Sequence, residues 1–148
     1  MQWLLYGFVV VAGALNAVQA GCNSSLNKVI EQPIAAALMI LAVAFSGVFT
    51  VGIISGQLGM PEMASFHRVP WWGWIGGLLG ATFLMSMLLF AHRIGAGAFM
   101  GLSVTAAIIT SVALDHFGLV GFKEHPVGWW RILGSGLMIA GIGLVAKY

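Results

Sequence analysis

The chain predicts an all-α integral membrane protein with five transmembrane helices, and three observations carry that expectation. Five apolar runs, residues 3–22, 34–56, 71–91, 95–114 and 127–146, each approach the length of about 20 residues that a helix needs to cross a hydrocarbon core. Hydrophobic residues make up 60% of the sequence and charged residues 7%, with a mean hydropathy of +1.01. Ordinary soluble domains carry about 25% charged residues. No run alternates apolar and polar residues as a barrel strand does, and lipid cannot satisfy an open backbone, so helices are the spanning form. Residues 1–148 read as a single five-helix membrane domain.

The first run ends at Val18-Gln19-Ala20-Gly21-Cys22, which superficially resembles a cleavage site. Met1-Gln2-Trp3 lacks the positive charge of a signal peptide, and Gln19 stands where a lipobox wants an aliphatic residue, so a retained helix is expected. This helix also carries the most specific functional signal. Asn16, Gln19, Asn23 and Asn27 recur at intervals of 3, 4 and 4 and share one helical face. Carboxamides both donate and accept hydrogen bonds, and facing lipid they are costly. They are expected to turn inward, either gluing helices together or lining a polar cavity, with Asn27 also placed to cap the helix end.

The second run, residues 34–56, contributes Ser46 and Thr50 as candidates for the same space, and the fourth contributes Ser103 and Thr110. The alternative for these hydroxyls is a bond to their own helix backbone. Asn16, Gln19, Asn23, Ser46, Thr50, Ser103 and Thr110 are thus the candidate substrate-binding residues. The third run opens on Pro70 and Trp71-Trp72-Gly73-Trp74, a helix start with interfacial anchors. Glycines four apart, Gly52 and Gly56, Gly73 and Gly77, Gly76 and Gly80, and Gly97 and Gly101, predict faces on which neighbouring helices approach closely. The fifth run repeats the proline and aromatic opening with Pro126 and Trp129-Trp130. Arg131 follows about a turn inside, able to snorkel outward or to attract an anionic group.

Several chemistries find no support. No Asp, Glu, Lys or Arg stands near the middle of a span, so a buried proton-relay carboxylate is not visible. His67, His92, His116 and His125 are peripheral and lack metal-ligand spacing, and Cys22 is alone, so no metal or cofactor is expected. Asp115 and His116 are adjacent with no placed nucleophile, so an enzyme is not expected. Six scattered Lys and Arg against four acids give a net charge of +2 without a basic stripe, which leaves nucleic-acid binding unsupported.

Loop charge bears on orientation. With five spans, Arg68, Lys123 and Arg131 fall on the side of the N-terminus, and Lys28, Arg93 and Lys147 on the other. This balance predicts a chain that inserts both ways. All six tryptophans, Trp3, Trp71, Trp72, Trp74, Trp129 and Trp130, fall at helix ends on the N-terminal side, leaving Tyr148 as the aromatic at the opposite terminus. An inverted second copy would place aromatic anchors at both interfaces. A lopsided protein of single orientation is the alternative.

The residues resemble the YdcZ-like inner-membrane exporters, a five-helix branch of the drug/metabolite transporter superfamily. The likeness covers essentially the whole chain. It rests on Gly13, Gln19 and Asn23; Pro70-Trp71 leading to Gly76-Gly77-Leu78-Leu79-Gly80-Ala81; Ile94-Gly95-Ala96; Asp115-His116-Phe117-Gly118; and Arg131, Gly134 and Gly141. Ala107 departs from the pattern, in which a glutamine often precedes the Asp-His-Phe-Gly segment by two turns. The resemblance implies a multi-pass protein of the bacterial inner membrane in which one chain is half of an inverted-repeat, ten-helix transporter. The expected function is transport of a small molecule by alternating access in an antiparallel homodimer surrounded by lipid. A non-transporting membrane subunit that stabilises another protein is the alternative.

Overall fold

The computed structural model describes residues 2–59 and 61–147. Six α-helices appear in the order α1 (Gln2–Ile30), α2 (Pro33–Ile54), α3 (Met63–Phe66), α4 (Trp71–Ile94), α5 (Ala96–Phe117) and α6 (Trp129–Lys147), with a 3₁₀ turn at Leu119–Gly121 before α6. All but α3 are long and apolar enough to cross a membrane. The five expected spans are therefore present. Tyr148, expected as the opposite aromatic anchor, lies outside the described residues.

Helix ends differ from the apolar runs. α1 continues past Cys22 to Ile30, because Asn23 to Lys28 contains no proline or glycine and polarity alone does not stop a helix. At about 1.5 Å per residue it extends beyond a core of about 30 Å, bringing its last turn, with Lys28, to the interface. Glu31 then takes a left-handed φ of 55° and its N–H bonds to Asn27 O at 2.9 Å. Gln32 caps α2 in an extended conformation and Pro33 opens it, a position where the missing N–H costs nothing.

Residues 92–94, which lie between the third and fourth apolar runs, are the last turn of α4, and Gly95 alone joins α4 to α5. Its φ of 89° and ψ of 143° lie close to a region essentially reserved for glycine. Gly95 O also accepts the Phe99 N–H at 3.0 Å. Gly95→Ala is expected to cost about 1–3 kcal/mol. Thermal unfolding of the purified protein checks this against Gly97→Ala, because a Cβ at Gly97 meets nothing within 4 Å.

The chain forms two compact units, Met1–Leu89 and Phe90–Tyr148. In the first, α1 packs on α2. Ala20 of α1 and Ala36 and Ala37 of α2 are buried, and small side chains let backbones approach closely in lipid. Asn27, expected as a possible cap, instead donates from Nδ2 to Leu88 O of α4 at 2.9 Å, so it ties two helices of this unit together. In the second unit α5 packs on α6, and Phe99 and Thr105 are buried.

The glycine pairs separate by neighbour. A Cβ on Gly101 would run into the Ile142 side chain, which marks a close approach of α5 and α6. Gly52 faces Leu58, and Gly73 faces Val69, each just outside its own helix. Gly56 does not share a helical face with Gly52. It lies beyond α2 with a φ of 66°, while Gly56 N bonds to Ile53 O and Gln57 N to Gly52 O, the paired bonds of a left-handed helix stop. A Cβ on Gly76, Gly77, Gly80 or Gly97 would meet nothing within 4 Å, so these glycines face open space.

Candidate functional site

A groove of about 500 Å³ lies between α1 and α2. From α1 it takes Gln19, Cys22, Asn23 and Leu26, spaced as one helical stripe; from α2 it takes Met39, Ile40, Val43 and Ala44. Its volume falls in the range of small-molecule sites, which are mostly apolar with a few placed polar groups. Among the described residues, no charged side chain lines it. Asn23 is only 7% exposed, and its Nδ2 is buried without a hydrogen-bond acceptor. A turn further on, Asn27 Oδ1 is also buried and unpartnered, its Nδ2 being committed to Leu88 O. A buried donor left unsatisfied costs about 1–3 kcal/mol, so the Asn23 amide is a polar group in want of a partner.

The other candidate residues have different surroundings. Asn16 is exposed on α1 and does not line the groove. Ser46 and Thr50 also lie outside its lining, and each bonds its own helix, Ser46 Oγ to Ala42 O at 2.8 Å and Thr50 Oγ1 to Ser46 O at 2.8 Å. Ser103 and Thr110 belong to the second unit, where Ser103 Oγ donates to Phe99 O at 2.7 Å and Thr110 is exposed. The structure thus gathers Gln19 and Asn23 of the first unit in one groove. Cys22 and the α2 lining carried no polar signal in the sequence. Thr105, buried on α5, also went unmarked, since a lone threonine in an apolar run has no distinguishing pattern.

The second unit has its own polar corner. Arg131 Nη1 lies 3.3 Å from Asp115 Oδ2, pairing the start of α6 with the end of α5. Gly118 stops α5 in a left-handed conformation, φ 58°, with its N–H on Leu114 O. The following loop folds back on this end: His125 N donates to Asp115 O at 2.8 Å and Val127 N to His116 Nδ1 at 3.3 Å. Asp115 and Arg131 also border a cavity of about 490 Å³ between α5 and α6. Arg131 has a carboxylate partner, so its position inside the helix does not require a bound anion.

Comparison with known proteins agrees with this architecture. The family model described as "Putative inner membrane exporter, YdcZ" matches residues 4–144. Inner membrane protein YdcZ of Escherichia coli (strain K12) is 27% identical over 150 residues, covering 99% of this chain and 97% of that protein. No solved structure matches. The match runs through all five long helices, both polar corners and the turns between them, and the chain belongs to this inner membrane exporter family as a multi-pass protein of the inner membrane.

Proposed function

We propose that the chain exports a small molecule by alternating access, paired with an inverted copy of itself, and that substrate enters the groove at Gln19 and Asn23. Membership in an exporter family supports membrane transport. The observation that carries the site is the Asn23 amide, buried beside an apolar groove without an acceptor. Its carboxamide and that of Gln19, one turn earlier, are the neutral polar groups of an otherwise mainly apolar groove.

The balance of Arg68, Lys123 and Arg131 against Lys28, Arg93 and Lys147 supports insertion in both orientations. The open glycine face of α4 supports a close partner, since small residues favour backbone approach in lipid. Inverted pairing gives two equivalent packings whose exchange exposes a site to either side in turn.

Single cysteines test the orientation. In a Cys22→Ser background, Ser65→Cys and Gln32→Cys, on opposite sides of a five-span chain, should each be labelled partly from outside and partly from inside intact cells. Labelling of each position from one side only would reject the inverted pair. Adding two or three lysines to residues 55–70 should drive the whole population into one orientation, because local positive charge sets topology.

A further inference from the structure

We propose that the seam between α5 and α6 holds a phospholipid with a primary-amine headgroup, its ammonium on Asp115, its phosphate on Arg131 and one acyl chain in the groove below. This goes beyond the transport reading and does not depend on it.

Depth in the membrane is the first argument. Trp129 and Trp130 open α6 and are largely exposed, and such aromatic anchors sit at the level of lipid headgroups. Arg131 follows at once and pairs with Asp115 in the last turn of α5. The pair therefore lies where headgroups lie.

Its charges are open to a ligand. The side chains of Arg131 and Asp115 keep 45% and 23% of their surface accessible, and both border the cavity of about 490 Å³. A single contact from Nη1 to Oδ2 joins them at 3.3 Å, longer than the about 2.7–2.9 Å of a strong charge-assisted bond. Asp115 Oδ1 remains as an acceptor, and Arg131 Nε and Nη2 remain as donors.

Charge balance selects the headgroup. Among the described residues bordering this cavity, Asp115 and Arg131 are the charged ones, so a simple anion also meets a carboxylate and a simple cation also meets a guanidinium. A headgroup that carries both signs a few bonds apart satisfies each partner. A primary ammonium donates hydrogen bonds to a carboxylate, which a trimethylated one cannot do.

The seam accommodates the tail. A second cavity, of about 400 Å³, continues along it, and Met138 borders both. On α6, Arg131, Ser135, Met138, Ile142 and Val145 recur at intervals of 4, 3, 4 and 3, so the two cavities lie end to end on one helical face. From Arg131 to Val145 this face runs about 21 Å at about 1.5 Å per residue. One leaflet of a hydrocarbon core about 30 Å thick gives a tail about 15 Å of depth. A tail that starts at the ion pair thus passes Met138 and ends in the second cavity, against Val104.

The full-length chain in nanodiscs of equal parts phosphatidylethanolamine, phosphatidylcholine and phosphatidylglycerol, all with the same acyl chains, is released into mild detergent and its retained lipid identified by native mass spectrometry. Phosphatidylethanolamine should be retained several-fold over either of the others. Asp115→Asn should bring it down to the level of phosphatidylcholine, and Asp115→Glu should restore the preference. In parallel, phosphatidylethanolamine with a diazirine at the end of one acyl chain is photolysed in the wild-type sample. The label should fall within residues 100–105 or 138–145, and unlabelled phosphatidylethanolamine should suppress it better than phosphatidylcholine does.

Both readouts are made on the wild-type chain, so a variant that fails to fold leaves the test intact. Equal retention of the three lipids overturns the proposal. So does preference for the anionic lipid, or an ethanolamine preference that survives Asp115→Asn in a folded protein. Absence of tail labelling in the seam overturns it as well, whether a second copy of the chain or packed side chains then fill the space.

Discussion

Asn23→Leu should abolish transport while leaving the protein as stable as the wild type or more so. In the resting chain the Asn23 Nδ2 is buried without an acceptor, a burden of about 1–3 kcal/mol that leucine removes. The same substitution removes one of the two carboxamides proposed to line the substrate groove. Activity and stability should therefore move in opposite directions, seen as transport at background and a melting temperature that is unchanged or raised. Asn27→Leu should leave transport intact. It loses the 2.9 Å bond to Leu88 O between α1 and α4, and interhelical polar contacts in membranes average about 0.6 kcal/mol, but it also removes a buried, unpartnered Oδ1, so its melting temperature should not fall. An Asn23→Leu protein that unfolds would make this residue helix glue.

Gly101→Leu should disrupt the second unit far more than Gly77→Leu disrupts the chain. A side chain at Gly101 would collide with Ile142 across the α5 and α6 seam. Forcing extra carbons into a packed contact costs about 1–3 kcal/mol and sometimes more. Gly101→Leu should lower the melting temperature or cause aggregation in detergent, and Ile142→Ala in the same chain should recover much of the loss, since contacting sites couple. Gly77 has open space around it, so Gly77→Leu should leave the monomer fold intact. If the inverted copy docks on that face, this variant should lose crosslinked dimer. Gly76→Leu, one residue round α4, shows which of the two faces is used. Full dimer in both variants places the interface elsewhere.

The five spans were legible because crossing a bilayer demands length and apolarity at once, and few other folds impose both. Their ends were less so. Hydropathy falls at Asn23, yet the backbone from Asn23 to Ile30 remains helical, because helix formation depends on the chain's torsions while the apolar run reflects only its solvent. The joint at Gly95 was hidden for a related reason: a glycine between two apolar segments looks the same whether it makes a turn, a packing contact or neither. Its positive φ decides the matter.

The α1 half of the groove was visible in the spacing of Gln19 and Asn23. The α2 half was not. α2 is apolar on every side, so no periodicity distinguishes Met39 and Val43, which face the groove, from neighbours turned away. Glycine spacing had the same weakness, since Gly73 with Gly77 and Gly97 with Gly101 share a pattern and only the neighbours separate them. Asn27 shows the converse, a residue read correctly as inward and polar whose partner, a backbone carbonyl 61 residues away, leaves no trace in local sequence.

The very short turns have a consequence for proteolysis. Only Glu31 and Gln32 separate α1 from α2, and only Gly95 separates α4 from α5. A protease needs several residues of accessible, extended backbone, which loop tips supply and such turns do not. In a five-span chain both tight turns fall on one face, while residues 55–70 and 118–128 emerge on the other. Each molecule therefore has a digestible face and a resistant one. An enzyme confined to one side of sealed vesicles reads orientation molecule by molecule: the fraction cut is the fraction whose long connections face it, and a second enzyme sealed inside should cut the complement.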